Sequence, residues 1–237
     1  MTGKTHRVGG VLGCLVGYSV LQDKGLLIGN VEPLLQLAVM YPYSIYGSML
    51  SDEDHEWESA PCKDAVSWMI WKVLHFTTPL RRWLQKGKFR RKVYKKIKPV
   101  VDVFDSKHRS WQTHSDLTLI FLFLMSMYLL SIAGSSADAI IIVLIAEGII
   151  VGLISHLLLD LITPTGIWSI LLTPFKKLLG GKGLAKLYLV PNSKFFATDS
   201  DESPWERFIR KSMWVMCFVL IIRLIYVFSP YRIVFDF

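Results

Sequence analysis

Two runs of this chain leave little choice of solvent. Residues 117–134 (LTLIFLFLMSMYLLSIAG) contain no charge, and 139–163 is longer still, broken only by Glu147, His156 and Asp160. Eighteen residues of helix reach about 27 Å at about 1.5 Å per residue, close to the thickness of a bilayer's hydrocarbon core. A third run, 213–229, is interrupted only by Arg223. Two weaker ones stand near the start: 8–21 is short and rich in glycine, and 33–50 contains Pro42. With 52% apolar residues overall, the pattern predicts an all-α, polytopic integral membrane protein with about five transmembrane helices. No internal repeat and no separate soluble domain is visible, so residues 1–237 read as one membrane-embedded domain.

The basic residues orient it. Residues 51–116 hold 14 Lys or Arg, 164–212 hold 8 and the first seven residues hold 2, leaving only Lys24, Arg223 and Arg232. If five spans alternate from an inside N-terminus, 24 of the 27 fall on one side, which the positive-inside rule makes cytoplasmic. The expected topology is a multi-pass protein of the inner or plasma membrane with a cytoplasmic N-terminus. It carries a basic cytoplasmic insert at 51–116 and a second cytoplasmic segment at 164–212. This distribution explains the +8 net charge without a nucleic-acid partner. The run RRWLQKGKFRRKVYKKIK at 81–98 reads equally as a contact for anionic headgroups and as a solvated juxtamembrane helix. The amphipathic, aromatic stretch 65–76 (AVSWMIWKVLHF) suits the membrane interface, and membrane lipid is the expected partner.

Cys14, Cys62 and Cys217 show no paired spacing, so neither a disulfide framework nor a cysteine zinc site is expected. No cleavable signal peptide is evident either. The chemistry lies in histidine and aspartate. In SHLLLDLITPTG (155–166), His156 and Asp160 are four residues apart and so share a helix face, just where a span should stop at Pro164 and Gly166. Ionisable groups at membrane depth face a partner, a cavity or a metal rather than lipid. His6 lies just before the first span, and Asp52, Asp54 and His55 just after the second. His108 and His114 lie just before the third. Every candidate thus falls at the cytoplasmic end of a helix, although the topology was set from Lys and Arg alone.

Neutral imidazoles with carboxylates suit zinc, with manganese as the alternative, and several acidic ligands could hold one or two ions. A metal polarises the attacked oxygen and acidifies water, and Arg109 is the candidate cation to meet developing negative charge. Each block also has a plainer reading. His6 beside Arg7 is a polar N-terminal residue, and SDEDHE (51–56) is an acidic loop balancing the basic insert. His108 and His114 belong to a solvated loop whose Ser115 or Asp116 caps the next helix. His156 with Asp160 is an intramembrane hydrogen-bonded pair. Glu147 is either a structural polar contact or a site residue, and His75 reads as interfacial.

The blocks THRVGGVLGCLVG, GSMLSDEDHEWES, HRSWQTHS and GLISHLLLDLITPTGI resemble the YdjM-like family in order and approximate spacing, from residue 5 to residue 167. The resemblance implies a membrane-bound, metal-dependent hydrolase, distantly similar to zinc-dependent phospholipase C and the P1-type nucleases. It therefore implies phosphoester hydrolysis; the headgroup-level position of the site and the basic insert make a lipid or lipid-linked substrate at the cytoplasmic face the expectation. Carried onto this chain, the family's threonine–histidine pair falls on Thr5 and His6, and its acidic block on Leu50, Asp52, Asp54 and His55. Its third block falls on His108, Arg109, Thr113, His114 and Ser115. Its last falls on Ser155, His156, Asp160, Thr163, Pro164 and Gly166. The implied metal ligands are His6, Asp52, His108, His114, His156 and Asp160. Asp54 or His55 would be a further ligand or general base, and Arg109 an electrostatic stabiliser.

Departures from the family pattern are Ser51 for a proline, Ser110 for a glycine, one extra residue before Thr113, Asp116 after Ser115, and a long insert between Ser59 and Lys107. A rival reading is a metal-ion or small-solute transporter using the intramembrane His and Asp. It calls for ligands along a path and inverted repeats, neither of which the sequence displays. The absence of HExxH argues against the usual metalloprotease arrangement.

Overall fold

All five apolar runs form helices. The computed structural model describes residues 3–28, 31–54, 62–75, 82–83, 86, 90, 92–97, 113–132, 137–163, 166–181, 184–187, 189 and 204–228. The runs become α1 (Gly3–Asp23), α2 (Pro33–Leu50), α4 (Asp116–Ile132), α5 (Ala137–Leu161) and α7 (Pro204–Phe228). Two shorter helices, α3 (Ala65–Leu74) and α6 (Thr173–Leu178), lie between them. Among the described residues there is also one antiparallel ladder, of β1 (Ile167–Ser169) and β2 (Ala185–Leu187). The ladder is a departure from a purely helical expectation. Three-residue strands are too short to show an alternating pattern, so nothing in the sequence flags them.

Of these helices, α5 and α7 are long and apolar enough to cross a membrane, and α4 is apolar but shorter. Glycines, Lys4, Arg7 and Asp23 dilute α1, and Gln36, Pro42 and several serines dilute α2. About 56% of the apolar window of α5 is buried against 17% for α7, so α5 is central and α7 peripheral. The outer faces of α4 and α7 carry Phe121, Phe123, Leu124, Phe218, Val219 and Ile225, each more than half exposed. Such faces suit lipid, not water.

The chain divides into two units. The first comprises residues 1–48, 119–166 and 188–237, the second residues 49–118 and 167–187. In the first unit, small residues let α1, α2 and α5 meet backbone to backbone. Gly9, Gly13 and Gly17, one turn apart on α1, face Leu159, Ser155 and Val151 of α5. Gly10 faces α2, where the Ser44 hydroxyl donates to its carbonyl at 2.8 Å. Gly152 of α5 lies against the Ser44 carbonyl and the Ser48 amide of α2. This is the small-residue packing that membrane helices use when lipid tails offer no hydrophobic gain for association. On the far side of α1, Val11, Leu15 and Tyr18 pack with Cys217 and Leu224 of α7.

Several polar groups in this unit find partners across the helices and loops. Gln36 closes the α1–α2 loop by donating to the Ile28 and Val31 carbonyls, both at 2.9 Å, and by accepting the Ile28 amide. Arg223, the charge that interrupts the last apolar run, makes a two-pronged pair with Asp23 at 2.7 and 2.9 Å.

The second unit begins with a 3-10 turn, Ser51–Asp54, which packs with α3. Asp64 caps α3 by accepting from the Val66 and Ser67 amides, and residues 92–97 are also helical. Ser115 caps α4, accepting the Thr118 amide at 3.2 Å. Asp116 takes a different task, binding the Ser169 hydroxyl and the Ile170 and Leu171 amides so that β1 and its following turn stay attached.

A methyl group at Gly13 would stand 2.8 Å from Ser155 Cβ, and one at Gly152 would run into the Ser44 carbonyl. Gly13→Leu and Gly152→Val should each destabilise the first unit by about 1–3 kcal/mol or more through overpacking. The measurement is thermal unfolding in detergent. The expected result is a clear fall in midpoint for both variants, with a smaller fall for Gly25→Ala, where an added Cβ meets nothing within 4 Å and only the backbone strain of φ +65° is incurred.

Candidate metal centre

His6 sits in the first turns of α1, and His156 and Asp160 in the last two turns of α5. All three are buried to 1% exposure or less. Their proximity follows from the glycine packing: Gly9 meets Leu159 and Gly13 meets Ser155, so the residue one turn before Gly9 arrives beside Asp160. His6 Nε2 lies 3.9 Å from Asp160 Oδ1, and His156 Nε2 lies 3.5 Å from Asp160 Oδ2. The two imidazoles stack with centroids 3.8 Å apart and planes 14° apart.

The tautomer of His156 is determined by its neighbour. Its Nδ1 lies 2.7 Å from the Ser48 carbonyl oxygen, which can only accept, so Nδ1 carries the proton. In the neutral ring the lone pair is then on Nε2, the atom facing the Asp160 carboxylate. A lone pair opposite a carboxylate oxygen at 3.5 Å is repulsive unless a proton or a cation mediates. Histidine ligands commonly donate their second ring N–H to a backbone carbonyl in this way.

The spacing tests the fit. Two ligand atoms about 2.1 Å from one tetrahedral ion stand about 3.4 Å apart, close to the 3.5 Å between His156 Nε2 and Asp160 Oδ2. His6 addresses the other carboxylate oxygen, so Asp160 offers one oxygen to each imidazole. The near-parallel stack puts the two ring planes side by side; one ring must tilt for both to bind one ion. His6 and His156 have ligand atoms within 4.8 Å of each other, as do His156 and Asp160, and each of the three belongs to a larger His/Asp group that could hold a metal ion. Of the candidate ligand set, the first unit brings these three together.

The second unit holds a separate pair. His114 is fully buried, shares a 2.8 Å hydrogen bond between its Nδ1 and Thr113 Oγ1, and has its Nε2 4.0 Å from Asp52 Oδ1. The ladder anchors its backbone, because Trp168 donates to the His114 carbonyl at 2.8 Å. Asp52 lies in the 3-10 turn, as does the backbone of Asp54. His55, His108 and Arg109 lie outside the described residues.

One contact beside the site had almost no sequence signal, and others give physical form to residues the sequence had marked. Glu206, at the start of α7, is 4% exposed and accepts from Thr5, the neighbour of His6, at 2.6 Å. Its only mark in the sequence is an acidic residue entering a span, which reads as a helix N-terminus. Thr163 caps the end of α5 through its hydroxyl on the Asp160 carbonyl at 2.7 Å, and Gly166 then turns the chain at φ +57°. Glu147, deep in α5, accepts from Ser126 of α4 at 2.7 Å, and its other oxygen has no hydrogen-bond partner among the described residues. His75 ends α3, its Nδ1 donating to the Trp71 carbonyl and its ring stacked on Trp71, a structural role.

The profile of the YdjM inner membrane protein family matches residues 1–233. The chain belongs to that family. Inner-membrane membership agrees with two helices able to span a bilayer and with apolar faces that water would not tolerate. No curated protein and no solved structure matches the chain.

Removing the Glu206 carboxylate strips a buried hydroxyl of its acceptor, a loss of about 1–3 kcal/mol. Glu206→Ala should lower the unfolding midpoint, and Glu206→Gln, which keeps an acceptor oxygen, should recover most of the loss. Thermal unfolding of the two variants side by side checks this.

Proposed function

We propose that the chain is a membrane-bound, metal-dependent hydrolase that cleaves a phosphoester of a lipid or lipid-linked substrate at the cytoplasmic face of the membrane. The observation that carries this reading is the His156 ring, locked by the Ser48 carbonyl with its lone pair toward a buried carboxylate. His6, His156 and Asp160 would hold the ion, zinc by their nitrogen-rich chemistry and manganese as the alternative. Asp52 and His114 are proposed ligands of the same chemical type, as is His108. Topology remains part of the proposal: five spans, an inside N-terminus, and basic segments facing the cytoplasm.

A bound divalent ion would polarise the phosphoryl oxygen and make water a better nucleophile near neutral pH. The chain's own residues do the rest. The Ser48 carbonyl keeps Nδ1 of His156 protonated and its ring oriented. Thr5, held by Glu206, ties the start of α1, and so His6, to α7. Asp54 or His55 would accept a proton from the attacking water, and Arg109 would balance charge on the phosphoryl group. A site at headgroup level accepts a lipid phosphoester without lifting its tails from the bilayer.

A second reading, ion or solute transport, draws on Glu147. It lies nine residues from His156, about 13.5 Å along the helix axis, so α5 carries ionisable groups at two depths.

The test is elemental mass spectrometry on detergent-purified protein, wild type beside His156→Ala and Asp160→Ala, with phosphate release from phospholipid and isoprenoid phosphates measured in parallel. The expected result is near-stoichiometric zinc or manganese in the wild type, its loss in both variants, and at least about a hundredfold lower hydrolysis where a ligand or its orientation is removed. Metal-free wild type after reconstitution would overturn the hydrolase reading. Metal-dependent ion flux in proteoliposomes without hydrolysis would favour transport.

A further inference from the structure

The second unit presents an apolar tip that neither the metal chemistry nor the spanning helices use. It runs from Leu171 through α6 to Gly181. Phe175 is 66% exposed, and Leu178 and Leu179 are 84% and 87% exposed, with Leu171 and Leu172 about half exposed beside them. This is not a frayed end. Gly180, at φ +80°, closes α6 with two capping bonds, its own amide to the Lys177 carbonyl and the Gly181 amide to the Lys176 carbonyl. Thr173 locks the other end, its hydroxyl donating to the Ser169 carbonyl and accepting the Ala185 amide. Lys176 Nζ reaches the Leu184 carbonyl and pins α6 to the strand side. The tip is therefore a fixed shape that holds large apolar side chains outward.

We infer that this tip inserts into the headgroup layer of an anionic membrane and gives the second unit a membrane contact of its own. Residues 167–187 carry four lysines and no aspartate or glutamate, so the segment's charge complements anionic lipid. Lys177 adjoins the leucines, and Lys186 lies over the Trp168 ring at 4.6 Å. Leucine and phenylalanine at the tip with lysine and tryptophan behind them is the layering of an interfacial element. The chain on either side is a membrane protein, so a bilayer surface is always within reach of the second unit. α3 shows the same composition independently, with Trp68, Met69 and Val73 exposed and Lys72 over the Trp68 and Trp71 rings. The inference stands whether or not the chain is a hydrolase.

The experiment is spin labelling of the full chain in vesicles of phosphatidylcholine with phosphatidylglycerol. Leu178→Cys and Leu179→Cys would be made in a Cys62→Ser background, in which the remaining Cys14 and Cys217 are buried. Lys24→Cys, in an exposed loop, serves as the control. Labels at 178 and 179 should collide freely with oxygen and be shielded from a water-soluble nickel chelate, the reverse of the control. Access to both reagents, as for a solvated loop, would overturn the inference. Shielding from both would show that protein covers the tip, and would overturn it equally. Adding Lys177→Glu and Lys182→Glu should shift both labels toward nickel access in anionic vesicles; no shift would overturn the anionic part of the inference. Folding of each variant is read from the unchanged position of the Lys24→Cys label.

Discussion

The first unit depends on how closely three helix backbones approach. Two helices separated by ordinary side chains stand about 8–10 Å apart, and the short reach of an imidazole and a carboxylate would leave a gap between them. Glycine at 9, 13 and 17 on α1, and at 152 on α5, removes that spacing. Only then does His6 stack on His156, and only then does the Ser48 carbonyl of α2 come within 2.7 Å of the ring. The glycine stripe and the histidine site are one construction, because the stripe determines which residues one turn further along can touch.

The same scarcity of water explains the remaining polar contacts. In hydrocarbon an unmatched charge or hydroxyl has no solvent to turn to. Asp23 and Arg223 answer each other across α1 and α7, Ser126 answers Glu147 across α4 and α5, and Thr5 answers Glu206 across α1 and α7. Each joins helices distant in sequence, so each also specifies which faces meet. A span turned by one residue would break its pair, and at Thr5–Glu206 and Ser126–Glu147 it would leave a buried group unmatched, which costs more than a lost apolar contact. Polar matching thus adds the specificity that uniformly oily surfaces lack.

Much of this was legible beforehand, for identifiable reasons. Apolar runs report helices well, and all five appear as helices because composition over some 18 residues averages out local detail, although α7 starts at Pro204, well before the apolar run at 213, and α1 at Gly3, before the run at 8. The His156–Asp160 pair was legible because a four-residue spacing on a helix has one geometric meaning. The termination of α5 was legible because glycine at 166 tolerates the positive φ that it adopts. What stayed hidden were long-range pairings. Nothing near Glu206 announces Thr5, some 200 residues away, and nothing near Ser48 marks its carbonyl as a partner, since every residue has one. The β1–β2 ladder was invisible for want of length. Asp116 shows a subtler limit: either Ser115 or Asp116 could cap the helix by position, and only the fold shows that Ser115 does so while Asp116 holds the 169–171 turn.

The Ser48 carbonyl also bears on what kind of chemistry the site can support. A transport site must release its ion, which is easier when ligands can reorient or change protonation. His156 has little freedom to reorient: its Nδ1 proton is committed to a backbone carbonyl, and its ring is held between that carbonyl and the His6 stack. Its position in a packed helix, beside backbone contacts that leave no room for a methyl group, removes the option of swinging away. A ligand fixed in this manner suits a resident ion better than a passing one, because rigid second contacts raise affinity and slow release. Glu147, by contrast, has one oxygen bonded to Ser126 and one without a hydrogen-bond partner among the described residues, and it lies about nine residues deeper. If α5 carried ions, the stiffer group would be expected in the path and the looser one at its mouth only at the expense of throughput. The observed order, stiff at the helix end and looser within, leaves Glu147 as an interhelical contact between α4 and α5.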